Sequence, residues 1–200
     1  MSERKQMLAV TIVAVIAVLA LAAVSTAADD EKEVYNAFAV QMVQGMSGTI
    51  EINITRWSTP EQRNMLLTTL KEKGHDDFMK ALRGQDETGF VQGQGALARA
   101  NPFPSTRLHA AWQSEKDGKR KVVLVTDRPI GMREASSANR SLDYDTSVII
   151  MEFPANDPSA DGTGTLHLAL KLGYDEKKNT LEVEELGQQP VRLTKITKKD

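Results

Sequence analysis

"INITRWSTPEQRNMLLTTL", residues 52 to 70, changes its hydrophobic rhythm halfway, and that change decides the fold class. Upstream, Ile50, Ile52 and Ile54 alternate with Glu51, Asn53 and Thr55, the period-two pattern of a strand with one buried face. Downstream, Leu66, Leu67 and Leu70 recur at helical spacing. At the joint Thr59 supplies an N-cap, Pro60 occupies the first turn where its missing N–H costs nothing, and Gln62 completes a capping box. Lys71 and Lys73 fall near the negative end of the helix dipole, and Gly74 ends the helix. A second, shorter helix follows over 76–83, with Phe78 and Leu82 on one face and Gly84 after it. Trp57 reads as a hydrophobic wedge over the start of the first helix, which makes the corner architectural and leaves Arg56 to face a cleft.

Working outward from this corner, the remaining pattern is β. Over 34–43 Phe38, Val40 and Met42 alternate as in a strand, although Val34, Phe38 and Met42 would also stack on a helix, and "GMSG" at 45–48 reads as the turn that pairs this strand with the isoleucine strand. Further strands are predicted over 89–92, 107–113, 119–126, 147–153, 165–172, 180–185 and 190–196. The stretches between several of them, "EKDGK", "PANDPSADGTG" and "YDEKKN", are rich in turn residues and short enough to favour antiparallel neighbours. "VVLVT", 122–126, is apolar on both faces and reads as a central strand, whereas "TLHLALKL", 165–172, puts Leu166, Leu168, Leu170 and Leu172 on one side only. The expected class is α+β: a mainly antiparallel sheet, strongly curved or barrel-like, with a two-helix excursion after the second strand.

The first residues form a different kind of sequence. Arg4 and Lys5 precede an apolar run over 7–24, which ends in "STAA" before an acidic "DDEKE". That order is the pattern of a secretory signal, with cleavage after Ala27; an uncleaved membrane anchor is the alternative, because the run approaches the length that spans a bilayer. The expected organisation is a signal peptide or anchor over 1–27 and one exported α+β domain over 28–200. The formal net charge is −2 in 200 residues, and removing Glu3, Arg4 and Lys5, one acid and two bases, makes it −3. Neutralising phosphates takes a concentrated excess of Lys and Arg, so a nucleic-acid partner is not expected. The chain has no cysteine, which excludes disulfides, a thiol nucleophile and a lipid-modified cysteine, and favours a bacterial periplasm or cell surface over a eukaryotic extracellular setting.

No catalytic set emerges from the motifs. His75 lies beside Asp76 and Asp77 without a second ligand at helical spacing, and His109 and His167 share strand faces with polar residues and read as surface side chains, so no metal is expected. "GQGALA", 93–98, starts like a dinucleotide-binding loop, but "NPFP" follows where that motif needs a long helix, so no cofactor is expected. No serine sits in a G-x-S-x-G elbow. The segment of interest is the long linker "VTDRPIGMREASSANRSLDYDT", 125–146, since loops of that length on a compact scaffold carry function more often than short turns do. The candidate binding residues are Arg56 and, in this linker, Asp127, Arg128, Arg133, Glu134, Asp143 and Tyr144. Guanidinium groups there suit a carboxylate ligand or a partner chain; the competing expectation is that these charges pair with one another and pin the loop.

"ITRWSTPEQRNMLLTTL" (54–70), "VVLVTDRPIG" (122–131) and "LGYDEKKNTLEVEELGQQPVRLT" (172–194) together resemble a family of uncharacterised exported bacterial proteins. The resemblance spans about 34–194 and implies a bacterial source, export and a single domain; it brings no activity, cofactor or site residue. The expectation is therefore a non-catalytic binding or envelope-interaction protein of the periplasm or cell exterior. Its partner would be a small apolar or anionic ligand or an envelope protein, with the membrane touched only through the N-terminal segment, and only where that segment is uncleaved. The alternative is a periplasmic hydrolase or isomerase using carboxylates near Asp127, Glu134 and Asp143.

Overall fold

The structure, a computed structural model, describes residues 32–41, 46–95, 105–130, 144–157, 160–175, 180–185 and 189–199. Its elements in chain order are β1 (Glu33–Gln41), β2 (Met46–Ile54), α1 (Pro60–Lys73), α2 (His75–Arg83), β3 (Gly89–Gly93), β4 (Thr106–Lys116), β5 (Lys119–Thr126), β6 (Thr146–Pro154), β7 (Gly162–Asp175), β8 (Thr180–Glu185) and β9 (Val191–Lys198). Neighbouring strands run β6-β5-β4-β3-β2-β1-β9-β7, all antiparallel, and a β6–β7 pairing closes the ring into an eight-stranded barrel. β8 pairs with the far half of β7, outside that ring. The curved α+β sheet with two helices after the second strand is thus a closed barrel. Among the described residues every strand, both helices and both apolar cores lie within 33–198, so the packing described draws on no residue before Ala28.

Two cores share the strands. Inward-facing residues, among them Ile50, Ile52, Ile54, Leu124, Met151 and Leu193, pack at zero exposure in the lumen. An eight-stranded barrel is just wide enough for its own side chains to fill, and exposure this low leaves no water-sized space beside them. The second core lies on the outside, where Leu66, Leu70, Phe78, Met79 and Leu82 of the helices cover outward residues of β4 to β7. β5 therefore is buried on both faces, Val122 and Leu124 in the lumen and Val123 and Val125 beneath the helices, as its double apolar pattern requires.

The corner that decides the fold is built as its sequence dictates. The Gln62 amide N–H donates to Thr59 Oγ1 at 3.2 Å, and the Thr59 N–H donates to Gln62 Oε1 at 2.9 Å. Ser58 is bound twice to Ala111 of β4, N–H to carbonyl at 2.7 Å and Oγ from N–H at 3.0 Å, so Ser58 pairs with the stretch of β4 that short β3 leaves uncovered. Trp57 belongs to the lumen and closes one barrel end, instead of wedging the helix start. Gly89, at φ 149°, lets β3 approach β2 at this corner: a Cβ there would lie 1.9 Å from the Asn53 carbonyl oxygen.

Three sequence expectations need correction. Residues 46–48 of "GMSG" are strand, paired with Gln41, Val40 and Ala39, and are not a turn. The β7 leucines do not share a face: Leu166 and Leu168 enter the lumen while Leu170 and Leu172 enter the outer core. The cause is a bulge, since Thr146 pairs with Leu170 but Val148 pairs with His167, and one extra residue on β7 reverses every side chain beyond it. His109 and His167 are buried, at 9% and 4% exposure, rather than on the surface. His109 sits in a β4 bulge between Leu108 and Ala110, and the helical layer lies over that side.

Candidate functional site

Two clusters of polar side chains stand at the ends of this apolar frame. The first is the barrel end where β1 starts. Glu33 is buried there, with Oε2 accepting from the Tyr35 hydroxyl at 2.6 Å and Arg120 Nη2 at 2.7 Å, and Oε1 from Lys198 Nζ at 2.9 Å. Arg120 also donates through Nη1 to the Tyr35 oxygen at 3.1 Å and through Nε to Gln113 Oε1 at 2.7 Å. Its guanidinium carbon is 5.8 Å from the ring centroids of both Trp57 and Phe153, within cation–π range. Burial alone would raise the Glu33 pKa, but hydrogen bonds from Tyr35, Lys198 and Arg120 outweigh it and hold the carboxyl below the usual range. Burial, reinforced by the Glu33 carboxylate, pushes the Tyr35 phenol well above its ordinary value. These hydrogen bonds tie residues of β1, β5 and β9 together, so the group works as a clasp across the barrel end.

The second place is the seam between α2 and the barrel, at the base of the long linker. The Leu172 backbone N–H donates to His75 Nδ1 at 3.1 Å, which leaves the ring proton on Nε2, facing Asp145 Oδ1 at 2.8 Å. The other Asp145 oxygen accepts from Arg83 Nη2. Asp127 is bound by Arg128 Nε at 3.2 Å and lies 3.6 Å from His109 Nε2, while His109 Nδ1 donates to the Gln85 carbonyl at 3.2 Å. Both nitrogens of each histidine are thus directed at protein groups. Beneath, Ser147 Oγ donates to the Leu168 carbonyl and accepts from the Ile130 N–H at 2.6 Å, and Ile130 is buried in the lumen, stopping the other barrel end.

The predicted site residues divide accordingly. Asp127 and Arg128 join the second cluster, paired with each other. Tyr144 is half-buried one position before Asp145. Arg56 belongs elsewhere: its Nη2 and Nε donate to the carbonyls of Asp86 at 2.9 Å and Glu87 at 3.1 Å, so it clamps the chain ahead of β3. Arg133, Glu134 and Asp143 lie outside the described residues. Sequence reasoning missed Glu33, Arg120 and Lys198, whose only signal is a charge in step with an inward apolar stripe at a strand end. It also missed the joint role of His75, Arg83, His109 and Asp145. Among the described residues no group of three or more His, Cys, Asp and Glu is placed to hold a metal ion.

The outer wall formed by β3, β2, β1 and β9 is the third feature. The second core is made of residues from β4 to β7 and the two helices, so this wall lies opposite the helical cover. Phe38 stands on it at 41% exposure, between Thr49 of β2 and Thr194 of β9. Comparison with protein families, with curated proteins and with solved structures gives no match.

Proposed function

We propose that the chain is an exported, non-catalytic interaction domain of the bacterial envelope, and that it works through the bare barrel wall of β3, β2, β1 and β9. The observation that carries this reading is the one-sided covering: one half of the barrel exterior is sealed under α1 and α2, while the other half presents Phe38, at 41% exposure, with half-buried Val40 at the next outward position of β1 and half-buried Val34 and Phe90 farther along the same face. Apolar groups left outward on one wall are what a contact surface needs. The filled lumen favours a partner at the surface over a small apolar molecule inside. The linker base favours the same choice, because its histidines and carboxylates are committed to holding α2 and the strand ends. The charged leader, the apolar run over 7–24 and the small residues before Ala28 support export.

The test is to place a photoreactive amino acid at position 38, and in parallel at Lys73 on the helical side, in the full chain expressed in bacterial cells. Adducts to an envelope component from position 38 and none from position 73 are expected. Adducts from a probe at Arg128, with none from 38, would move the working surface to the linker.

A further inference from the structure

We infer that the bare wall takes the surface of an anionic phospholipid bilayer, with Phe38 as the apolar anchor and Arg192 and Lys195 as phosphate contacts. This deepens the envelope-interaction reading and rests on it. β9 with the residue after it, 191–199, carries Arg192, Lys195, Lys198 and Lys199 and no acid. Lys198 and Lys199 are engaged by Glu33 and Glu51. Arg192 and Lys195 are exposed and have no carboxylate partner among the described residues.

Register sets these cations around the exposed ring. Phe38 pairs with Thr194, and Val40, the next outward residue on β1, pairs with Arg192. Between Asn36 and Phe38 the register against β9 shifts, from Thr197 to Thr194, and the same shift recurs against β7, from Gly162–Ile196 to Gly164–Leu193. Lys195 stands in this bulge at φ 49°, a left-handed conformation that non-glycine residues rarely adopt. The bulge keeps both Thr194 and Lys195 off the lumen and returns Ile196 to zero exposure inside. Strict alternation would have turned Lys195 inward; the bulge sets its ammonium outside, next to the row that holds Phe38. An aromatic ring flanked by cations that have no carboxylate partner among the described residues matches a bilayer interface, where the ring enters the headgroup boundary and the cations meet phosphate.

The position of the wall in the chain agrees. β1, at the middle of this wall, starts at Glu33, nine residues after the apolar run ends at Val24, a connection of at most about 30 Å. If the segment is retained as an anchor, the wall stands within reach of the leaflet; if it is cut, the same contact holds the domain reversibly.

The experiment is sedimentation of the chain from Ala28 onward with vesicles of phosphatidylglycerol and phosphatidylcholine, against phosphatidylcholine alone. Binding to the anionic vesicles that weakens with added salt is expected. Lys195→Ala should lower affinity about fivefold, and Arg192→Ala with Lys195→Ala about 25-fold, from the worth of one cation near an anionic surface. Phe38→Ser should lower it about tenfold through the lost apolar insertion. The control pair Lys73→Ala with Lys80→Ala, of equal charge on the helical side, should change binding less than twofold, and circular dichroism should show every variant folded. Absence of binding, binding indifferent to lipid charge, or equal loss from both pairs overturns the inference. If vesicles are not bound but position 38 still crosslinks to an envelope protein, the lipid assignment fails and the interaction reading stands; if neither occurs, both fail.

Discussion

The wall under the helices and the wall left bare among the described residues share one lumen and differ in what lies outside. On the covered side, β5 is buried on both faces and β7 passes its leucines from the inner core to the outer one at a bulge. On the bare side, β1 and β2 alternate: Tyr35, Ala37 and Ala39 point inward at 3% exposure or less, and Asn36, Phe38 and Val40 point outward. The difference teaches that stability and availability for contact are divided between opposite walls. Substitutions of equal chemistry should therefore have very different effects on the two.

The largest effect is expected at Leu170, fully buried in the outer core. Leu170→Ala should cost about 3 kcal/mol in urea unfolding, the usual size for a large-to-small change that leaves a cavity. Leu166→Ala, in the lumen, should cost a similar amount. A cost at Leu170 below about 1 kcal/mol would mean that the helices do not form a true second core, and the contrast between the walls would collapse.

This pair also shows what the sequence made legible. All nine strands and both helices follow from periodicity, capping residues and turn composition, because those features are local. The bulges are not local in that sense. An extra residue in a strand is a backbone event set by the neighbours across the ladder, and nothing in "TLHLALKL" marks where the inner stripe becomes the outer one. His109 and Lys195 were unreadable for the same reason. The clasp was hidden by distance, since Glu33, Arg120 and Lys198 meet only once the barrel has closed. Of the candidate linker residues, Asp127 and Arg128 pair with each other because they are adjacent in the chain, and Asp127 meets His109 only through the fold.

The second effect concerns the clasp where the two walls meet. Glu33→Gln should cost about 2 kcal/mol at neutral pH, the range for losing hydrogen bonds to a charged group. The folded-state pKa of Glu33 lies below its ordinary value of 4.5, so its contribution is complete above that value and is lost as pH falls through the lower folded one. Unfolding free energy measured below about pH 4.5 should accordingly fall less steeply in Glu33→Gln than in the native chain. Equal acid slopes would show that Glu33 titrates alike in both states. A smaller effect belongs to the corner: Thr59→Ala removes the reciprocal cap of α1 and should cost about 1 kcal/mol while leaving contacts of the bare wall unchanged.

The smallest effect is the most discriminating for the comparison. Phe38 has lumen residues on either side of it in β1, yet its own ring sits outside among threonines. Its removal opens no cavity, and a polar residue there exposes nothing further. Phe38→Ser should therefore change unfolding free energy by less than about 0.5 kcal/mol, as surface substitutions do, against a several-fold larger cost for Phe78→Ser beneath the helices. A loss above about 1.5 kcal/mol at Phe38 would place the ring in the packing of the barrel itself, and the bare wall would then be part of the scaffold and not the surface through which the protein makes contact.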